Sequence, residues 1–410
     1  KGISGKLFSS LGNNNINVRA IAQGASERNI SIIIDEINAK KALNALHESF
    51  FEKDLKDIHI FITGVGNVGG YLIQQIKNQK DFISENLGLN LKVLGVSNSK
   101  KMLISKEEID LKNWSKLLDN SKTKADKDLF QKTIIELNRR NSLFVDNTAS
   151  DIIPLTYNDY LKNGVGIITC NKISNSGTLN VYKELRELSM RHNARFFYET
   201  NVGAALPVIS TLKNLINSGD KVLKIEAVLS GTLNYIFNNF QEENTFHDIV
   251  SNAVNLGYTE PDPKIDLCGI DVCRKILILA RESGYNLEYE DVKKNHFLPD
   301  ESINTTSNDE FILSLKNNKS HFNKILNEAK EKNCRLKFVA KLDNGNASVG
   351  LEAVSLDHPF YNLVGSDNIT VFHTERYKDS PLVVKGAGAG GEFTASGVFA
   401  DIIKASQENG

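Results

Sequence analysis

The apolar positions change period early in the chain, and the rest of the reading is organised around that change. Residues 58–63 are a short, β-rich apolar run, the pattern of a parallel strand buried on both faces. From Asn67 the spacing turns helical, with Val68, Leu72, Ile73 and Ile76 on one face. Apolar runs at 91–96, 143–146, 165–169 and 195–199 read as further strands, with helical stretches such as 178–191 between them. Strands alternating with helices predict an α/β domain, a Rossmann-like doubly wound parallel sheet. Ligands of such sheets lie at the carboxyl ends of the strands. The turns 64–69, 97–101, 147–148 and 171–172 are therefore expected to converge on one crevice.

The two flanks follow other patterns. Ile3, Leu7, Phe8 and Leu11 give a short helix face with Gly12 as its stop, 17–23 and 30–35 read as strands joined by a turn at 24–28, and 39–51 as a helix. This order of elements lacks a strand needed to close a domain. Past Glu199 the strict alternation ends. A helix runs through Leu215, 221–229 is a strand, Ser230 opens another helix, and 335–342, 347–354 and 369–374 alternate as antiparallel strands do. A second, α+β domain is expected over 199–385, with alternating strands suited to extending a sheet across a dimer. A glycine turn at 386–391 and a helix at 395–405 are expected to return to the first. The domain reading is thus 1–53, 57–198 completed by 386–410, and 199–385.

Between the first strand and its helix stand Gly64, Gly66 and Gly69. The first glycine permits the tight turn, the second lets backbone approach a pyrophosphate, and the third lets helix and strand pack closely. The helix start at Asn67 and Val68 then offers N–H groups to phosphate. In a strand–turn–helix setting this spacing points to a dinucleotide, against the plainer reading of a glycine-rich turn without a ligand.

Composition narrows the field. The chain has 410 residues, enough for two or three domains, and 49 basic against 50 acidic side chains, which argues against a general nucleic-acid binder. No apolar run is long enough to span a bilayer, so no membrane role is expected. The chain opens on Lys1 without a secretory pattern, and the expectation is that it begins inside a longer one. Its 4 cysteines form no paired motif and read as reduced thiols of a cytoplasmic protein. Its 8 histidines are scattered and no serine-nucleophile elbow is present, which removes support from zinc- and serine-hydrolase readings.

Several side chains could carry chemistry. NAD sites usually place an acid after the second strand. Here Ser97, Asn98, Ser99, Lys100 and Lys101 follow it, a set suited to the 2′-phosphate of NADP(H); the plainer reading is a solvated helix start. Glu260 and Asp262 alternate with prolines on a stiff loop, and a helix expected from about Asp266 puts Asp271 and Lys275 on one face, at i and i+4. A structural ion pair explains that spacing as well as a catalytic one. Lys172 ends a strand at the expected crevice, where it can stabilise a developing alkoxide or contact the cofactor. Glu199, beside the loop 202–206, suits a hard cation or a helix cap. Cys170 offers a nucleophile, though a buried structural cysteine is the commoner case.

Together these blocks resemble homoserine dehydrogenase. The carrying residues are Gly64, Gly66, Asn67, Val68, Gly69 and Gly70; Asp146, Asn147 and Thr148; Asn171 and Lys172; Asn201 to Pro207; Ser230, Gly231 and Thr232; Gly257 to Pro263; Gly269 to Lys275; and Gly386, Gly388 and Gly390. Residues 1–53, with Gly2, Gly5 and the stretch 20–27, resemble the last ACT module of an aspartokinase, which implies a bifunctional chain with an upstream aspartokinase domain. The resemblance implies NADPH-dependent reduction of L-aspartate 4-semialdehyde to L-homoserine, in threonine and methionine biosynthesis. It implies Lys275 as proton donor, Lys172 as second active-site lysine, and Glu260, Asp266 and Asp271 as substrate ligands. Gly64, Gly66, Asn67, Val68, Gly69, Ser97, Lys100, Thr148, Lys172 and Gly390 would meet the cofactor. Glu199 with the carbonyls of Val202, Ala204 and Leu206 would hold Na+. Gln23 is the candidate contact for a threonine effector, and a homodimer or larger assembly is expected. Two positions depart from the family pattern: Ile265 stands where an acid is usual, and Ala205 where glycine is. The alternatives are a threonine-sensing module with an inactive dehydrogenase half, and an acylating dehydrogenase using Cys170.

Overall fold

The computed structural model describes residues 2–24, 29–51 and 55–407. Most of the expected turn at 24–28 lies outside the described residues, as do Lys1, 52–54 and 408–410. The chain divides into two compact units. The first comprises 1–173, 180–198 and 395–410; the second comprises 174–179 and 199–394.

The first unit opens with the helix Ile3–Asn13, strands β1 (Val18–Gln23) and β2 (Ile30–Ile34), and the helix Ala39–Phe51. The first helix runs past Gly12 and stops at Asn14, whose amide caps it by bonding Gly12 and Leu11 carbonyls; Gly12 is therefore not the stop. β1 and β2 form a two-stranded antiparallel sheet, packed on a small core of Leu11, Ile16 and Ala42. Five of the six residues of β1 are exposed.

The main sheet follows with β3 (Lys56–Thr63), β4 (Leu89–Ser97), β5 (Met102–Ile104), β6 (Ser142–Asp146), β7 (Gly166–Thr169) and β8 (Phe196–Phe197). Its order is β5-β4-β3-β6-β7-β8, parallel throughout except for β5 on the edge. The first strand thus has β4 on one side and β6 on the other. That reversal opens a crevice at its carboxyl end, as the alternating pattern predicts. Ile58, Ile60 and Ile62 of β3 pack with Leu72, Ile73 and Ile76 of the helix Asn67–Asn78 and with Ala395, Val398 and Ile402 of the helix Gly391–Gln407. Each such buried side chain is worth about 1.5–3 kcal/mol. The edge strand β5 replaces the helix start considered at Lys100 and Lys101.

The second unit contains β9 (Val222–Val228), β10 (Lys293–Asn295), β11 (Arg335–Asp343), β12 (Asn346–Val354), β13 (Asp367–Thr374) and β14 (Leu382–Ala387). They form a six-stranded sheet of order β10-β12-β11-β9-β13-β14, antiparallel apart from the β10–β12 pair. Gly386 belongs to β14, paired with Asn368, so the glycine turn begins later than its composition suggests. The helix Ile270–Glu282 is buried along most of its length, including Lys275 and Arg281. It begins after Gly269 rather than near Asp266, which lies on a separate short helix, Pro263–Leu267.

Candidate active site

In the first unit a cavity of ≈ 610 Å³ opens at the carboxyl ends of β3, β4 and β6. Its wall includes Gly64, Gly66, Asn67, Val68, Ser97 and Thr148 from the expected set. Gly64 has φ +82°, and a Cβ there would lie 2.8 Å from the Asn147 carbonyl carbon. A Cβ on Gly69 would lie 2.3 Å from the Gly64 oxygen, so strand and helix touch through bare backbone. Gly66 is different: nothing stands within 4 Å of a Cβ built on it, so a side chain there would occupy open space. Gly66 is also the N-cap of the helix Asn67–Asn78, and no side chain caps that end among the described residues. Bare backbone, open space and uncapped N–H groups fit a pyrophosphate.

The side chain of Asn147 is buried beside Gly69, and neither its nitrogen nor its oxygen has a hydrogen-bond partner among the described residues. Buried amides are rarely left so, and one in a cavity wall marks a place for a ligand's polar group. Sequence reasoning placed Asn147 in the crevice without assigning it a contact. Lys127 was missed altogether. It lines the cavity from the start of the helix Lys127–Leu137, where Asp126 accepts the amides of Asp128 and Leu129. Its signal was an Asp N-cap ahead of an apolar periodic run.

Lys100 and Lys172 are not among the residues lining this cavity. Lys100 is exposed, its amide bonded to Asn98 Oδ1 at 2.8 Å, and the Lys101 ammonium is turned to the Asp119 carbonyl. Lys172 is half-buried just past the end of β7. The Cys170 thiol is pushed up to about 12 by burial and by the Asp146 charge, which leaves no thiolate for nucleophilic attack at neutral pH.

The second unit gathers the predicted charges. The Lys275 ammonium donates to the Leu229 carbonyl at 2.6 Å and lies 2.8 Å from the Asp271 carboxylate, with 8% of the residue exposed. Asp266 accepts the Glu260 amide at 2.8 Å. Burial pushes its carboxyl up to about 6, and the negative charges of Glu260 and Asp271 add to the rise. Thr232, in the first turn of the helix Gly231–Asn239, bonds the Tyr258 carbonyl and lowers the Asp266 pKa by a side-chain hydrogen bond. Thr232 is among the residues that carry the family resemblance, and the fold adds its place beside Asp266. Ile265 is 41% exposed. A buried ammonium oriented by Asp271, with Asp266 and Glu260 close enough to Asp271 and to each other to raise the Asp266 carboxyl, can bind a cationic group and move a proton.

Glu199 places its two oxygens on the amides of Ile209 (2.7 Å) and Ser210 (2.8 Å), capping the helix Val208–Asn217. The Leu206 carbonyl accepts the Val208 amide, and Ala204 sits at φ +52°. Among the described residues no group of three or more His, Cys, Asp or Glu could hold a metal ion. Gly390 has φ +114° and its carbonyl accepts the Thr394 amide. Gln23 is exposed at the end of β1.

Family comparisons divide the chain along similar lines. The NAD-binding domain of homoserine dehydrogenase matches 64–199, the homoserine dehydrogenase family proper matches 207–403, and an ACT domain matches 1–50. The homoserine dehydrogenase of Schizosaccharomyces pombe is 37% identical over 358 residues, covering 85% of this chain and 95% of that one. This chain belongs to the homoserine dehydrogenase family. Bifunctional aspartokinase/homoserine dehydrogenase 2 of Zea mays is 43% identical over 406 residues, 98% of this chain and 44% of its own length. The chain thus spans a little under half of such bifunctional relatives. A hyperthermophilic archaeal homoserine dehydrogenase solved in complex with NADPH is 26% identical with a TM-score of 0.66, covering 85% of this chain and 98% of that one. For a homoserine dehydrogenase fold the glycine turn, the Asp271–Lys275 pair and the ACT-like start all fall inside matched segments. No helix among the described residues is long and apolar enough to cross a membrane.

Proposed function

We propose that this chain interconverts L-aspartate 4-semialdehyde and L-homoserine with NADP(H). The carrying observation is the buried Lys275 ammonium, oriented by the Leu229 carbonyl and the Asp271 carboxylate. In this reading Glu260, Asp266 and Asp271 hold the amino acid's ammonium. Lys275 gives its proton to the carbonyl oxygen in reduction and takes it back in oxidation. Lys172 is the second cation of this reading, its role to offset negative charge developing on the substrate. The nicotinamide, when bound, supplies or accepts the hydride. The open space at Gly66, the uncapped helix start and the Asn147 amide support its binding in the first unit.

Preference for NADP(H) over NAD(H) is supported by the absence of an acid after β4. Ser97, Asn98, Ser99 and Lys127 line the cavity with Lys100 nearby in sequence, and the acid that joins them, Asp126, accepts the Asp128 and Leu129 amides on one carboxylate oxygen. A Na+ ion held by Glu199 and the carbonyls of Val202, Ala204 and Leu206 would brace the loop ahead of the helix Val208–Asn217. The helix-cap role of Glu199 weakens that part of the reading without removing the oxygens. Cytoplasmic residence draws support from free thiols at Cys170, Cys268, Cys273 and Cys334. Extending the bifunctional relatives' arrangement, an aspartokinase part shares the full-length chain, and the second unit's sheet is the surface for a homodimer. Threonine acting at Gln23 is the regulatory reading, motivated by the ACT match over 1–50.

The test is to supply homoserine and NADP+ at alkaline pH and follow absorbance of reduced nicotinamide. Growth of the signal, lost in Lys275→Ala, is the expected result. Calorimetric threonine binding with no turnover would favour the sensor reading.

A further inference from the structure

A buried carboxylate joins the two turns on which the cofactor end of this reading depends. Asp146 ends β6 and is 0% exposed. Its oxygens accept the Thr148 amide at 2.8 Å, the Tyr157 hydroxyl at 2.7 Å and the Asn171 side-chain amide at 3.2 Å. Burying a charge is costly unless donors surround it. A core made only for stability needs no acid here, because apolar residues would fill the space at lower cost.

Asp146 and the groups bonded around it hold backbone at both turns. The Asn147 amide donates to Thr63 at 3.0 Å while the next amide, that of Thr148, donates to Asp146. The unpartnered Asn147 side chain is thereby held in the cavity wall. On the other turn, the Asn171 amide donates to Thr169 Oγ1 at 2.9 Å, and Asn171 Oδ1 accepts the Ile173 amide at 3.0 Å. Lys172 lies between those two pinned amides. Asn171 also reaches the Ser150 carbonyl at 2.7 Å, tying one turn to the other. Tyr157 completes the knot through Thr169 Oγ1 at 2.9 Å.

We propose that Asp146, acting through Tyr157 and Asn171, is a positioning residue for the reaction, fixing the 147–148 turn and Lys172 in one register. The proposal rests on the reading that these turns meet cofactor and substrate. Tyr157→Phe is the sharpest probe. It deletes one hydroxyl and keeps a ring that packs edge-on against Phe144 and Phe196 at 6.3 and 6.1 Å between centroids. Asp146→Asn is the second variant, keeping size while changing charge. Loosening a positioned group costs about tenfold in kcat. That loss is expected in both variants, with KM for homoserine within about twofold and at temperatures well below unfolding. In Tyr157→Phe combined with Asn171→Ala the losses should not multiply, because both break one network. A kcat within about twofold of wild type in both single variants, or a loss that only tracks the unfolded fraction, overturns the proposal. If wild-type protein turns over no homoserine, the functional reading fails instead, and the role is read by NADPH fluorescence titration. There, Tyr157→Phe weakens binding if the register matters, and an unchanged Kd overturns the proposal.

Discussion

The cavity of the first unit presents backbone, and the cluster of the second presents charged side chains. At the cavity Gly64, Gly66 and Gly69 contribute by lacking a Cβ, and the helix start at Asn67 offers bare amides. Around the helix Ile270–Glu282 the working parts are one ammonium and three carboxylates, set by the Leu229 carbonyl, the Glu260 amide and Thr232. A backbone site is exact in shape and indifferent to pH. A charge site is forgiving in shape and responds to every neighbouring proton. The two should therefore fail in different ways.

The largest effect should come from Lys275→Ala. Removing a positioned general acid lowers kcat about 10²–10⁴-fold, while NADPH affinity stays within about twofold. Parallel steady-state kinetics and fluorescence titration check this, and an equal loss of NADPH affinity would break the division between the regions. Next come two glycines of one motif. Gly66→Val puts a side chain into open space and should weaken NADPH about tenfold or more with the unfolding midpoint kept. Gly69→Ala drives a Cβ to 2.3 Å from the Gly64 oxygen. Such overpacking costs about 1–3 kcal/mol, seen as a lower Tm.

Asp266 carries the pH prediction. Its carboxyl is pushed up to about 6, first by burial and then by the charges of Glu260 and Asp271. Above that pH it is ionised and, in the proposed function, holds the substrate's ammonium; as pH falls through it the charge is lost. KM for homoserine should rise as pH drops from neutrality toward 5, with KM for NADP+ flat. Asp266→Asn should show a raised KM and no such slope. The smallest effect belongs to Lys127→Ala, the one test of side-chain charge within the backbone site. Lys127 already pairs with Asp128 at 2.6 Å. If it meets the 2′-phosphate as the NADP(H) proposal requires, its loss should raise KM for NADP+ about fivefold and leave KM for NAD+ unchanged.

The same contrast explains what the sequence made legible. Gly64, Gly66 and Gly69 announce themselves because their requirement is local: a strand, a tight turn and a helix within a dozen residues. The central strands β3, β4 and β6 and the long buried helices show clear periods for the same reason. The short edge strands β5, β10 and β14 do not, since three to six residues carry too little of a period, and β10 in addition finds its partner β12 far away in sequence. Asp271 and Lys275 were readable as an i, i+4 pair, but the Leu229 carbonyl reaches Lys275, and Thr232 reaches Asp266, only through the fold. Lys100 looked like the natural phosphate ligand because it follows β4. The Asn98 turn instead leaves Lys100 exposed, and Lys127 lines the cavity. The Asp146 knot was invisible because Tyr157 and Asn171 are ordinary residues until their hydroxyl and amide meet one carboxylate.

The account stands or falls on direct hydride transfer between homoserine and a nicotinamide. Homoserine deuterated on its hydroxymethyl carbon, incubated with the protein and NADP+, tests it by mass analysis of the reduced cofactor. The prediction is deuterium on the nicotinamide with wild-type protein and none, over the same time, with Lys275→Ala. Reduced cofactor without deuterium, or no reduction while NADPH still binds, would contradict it.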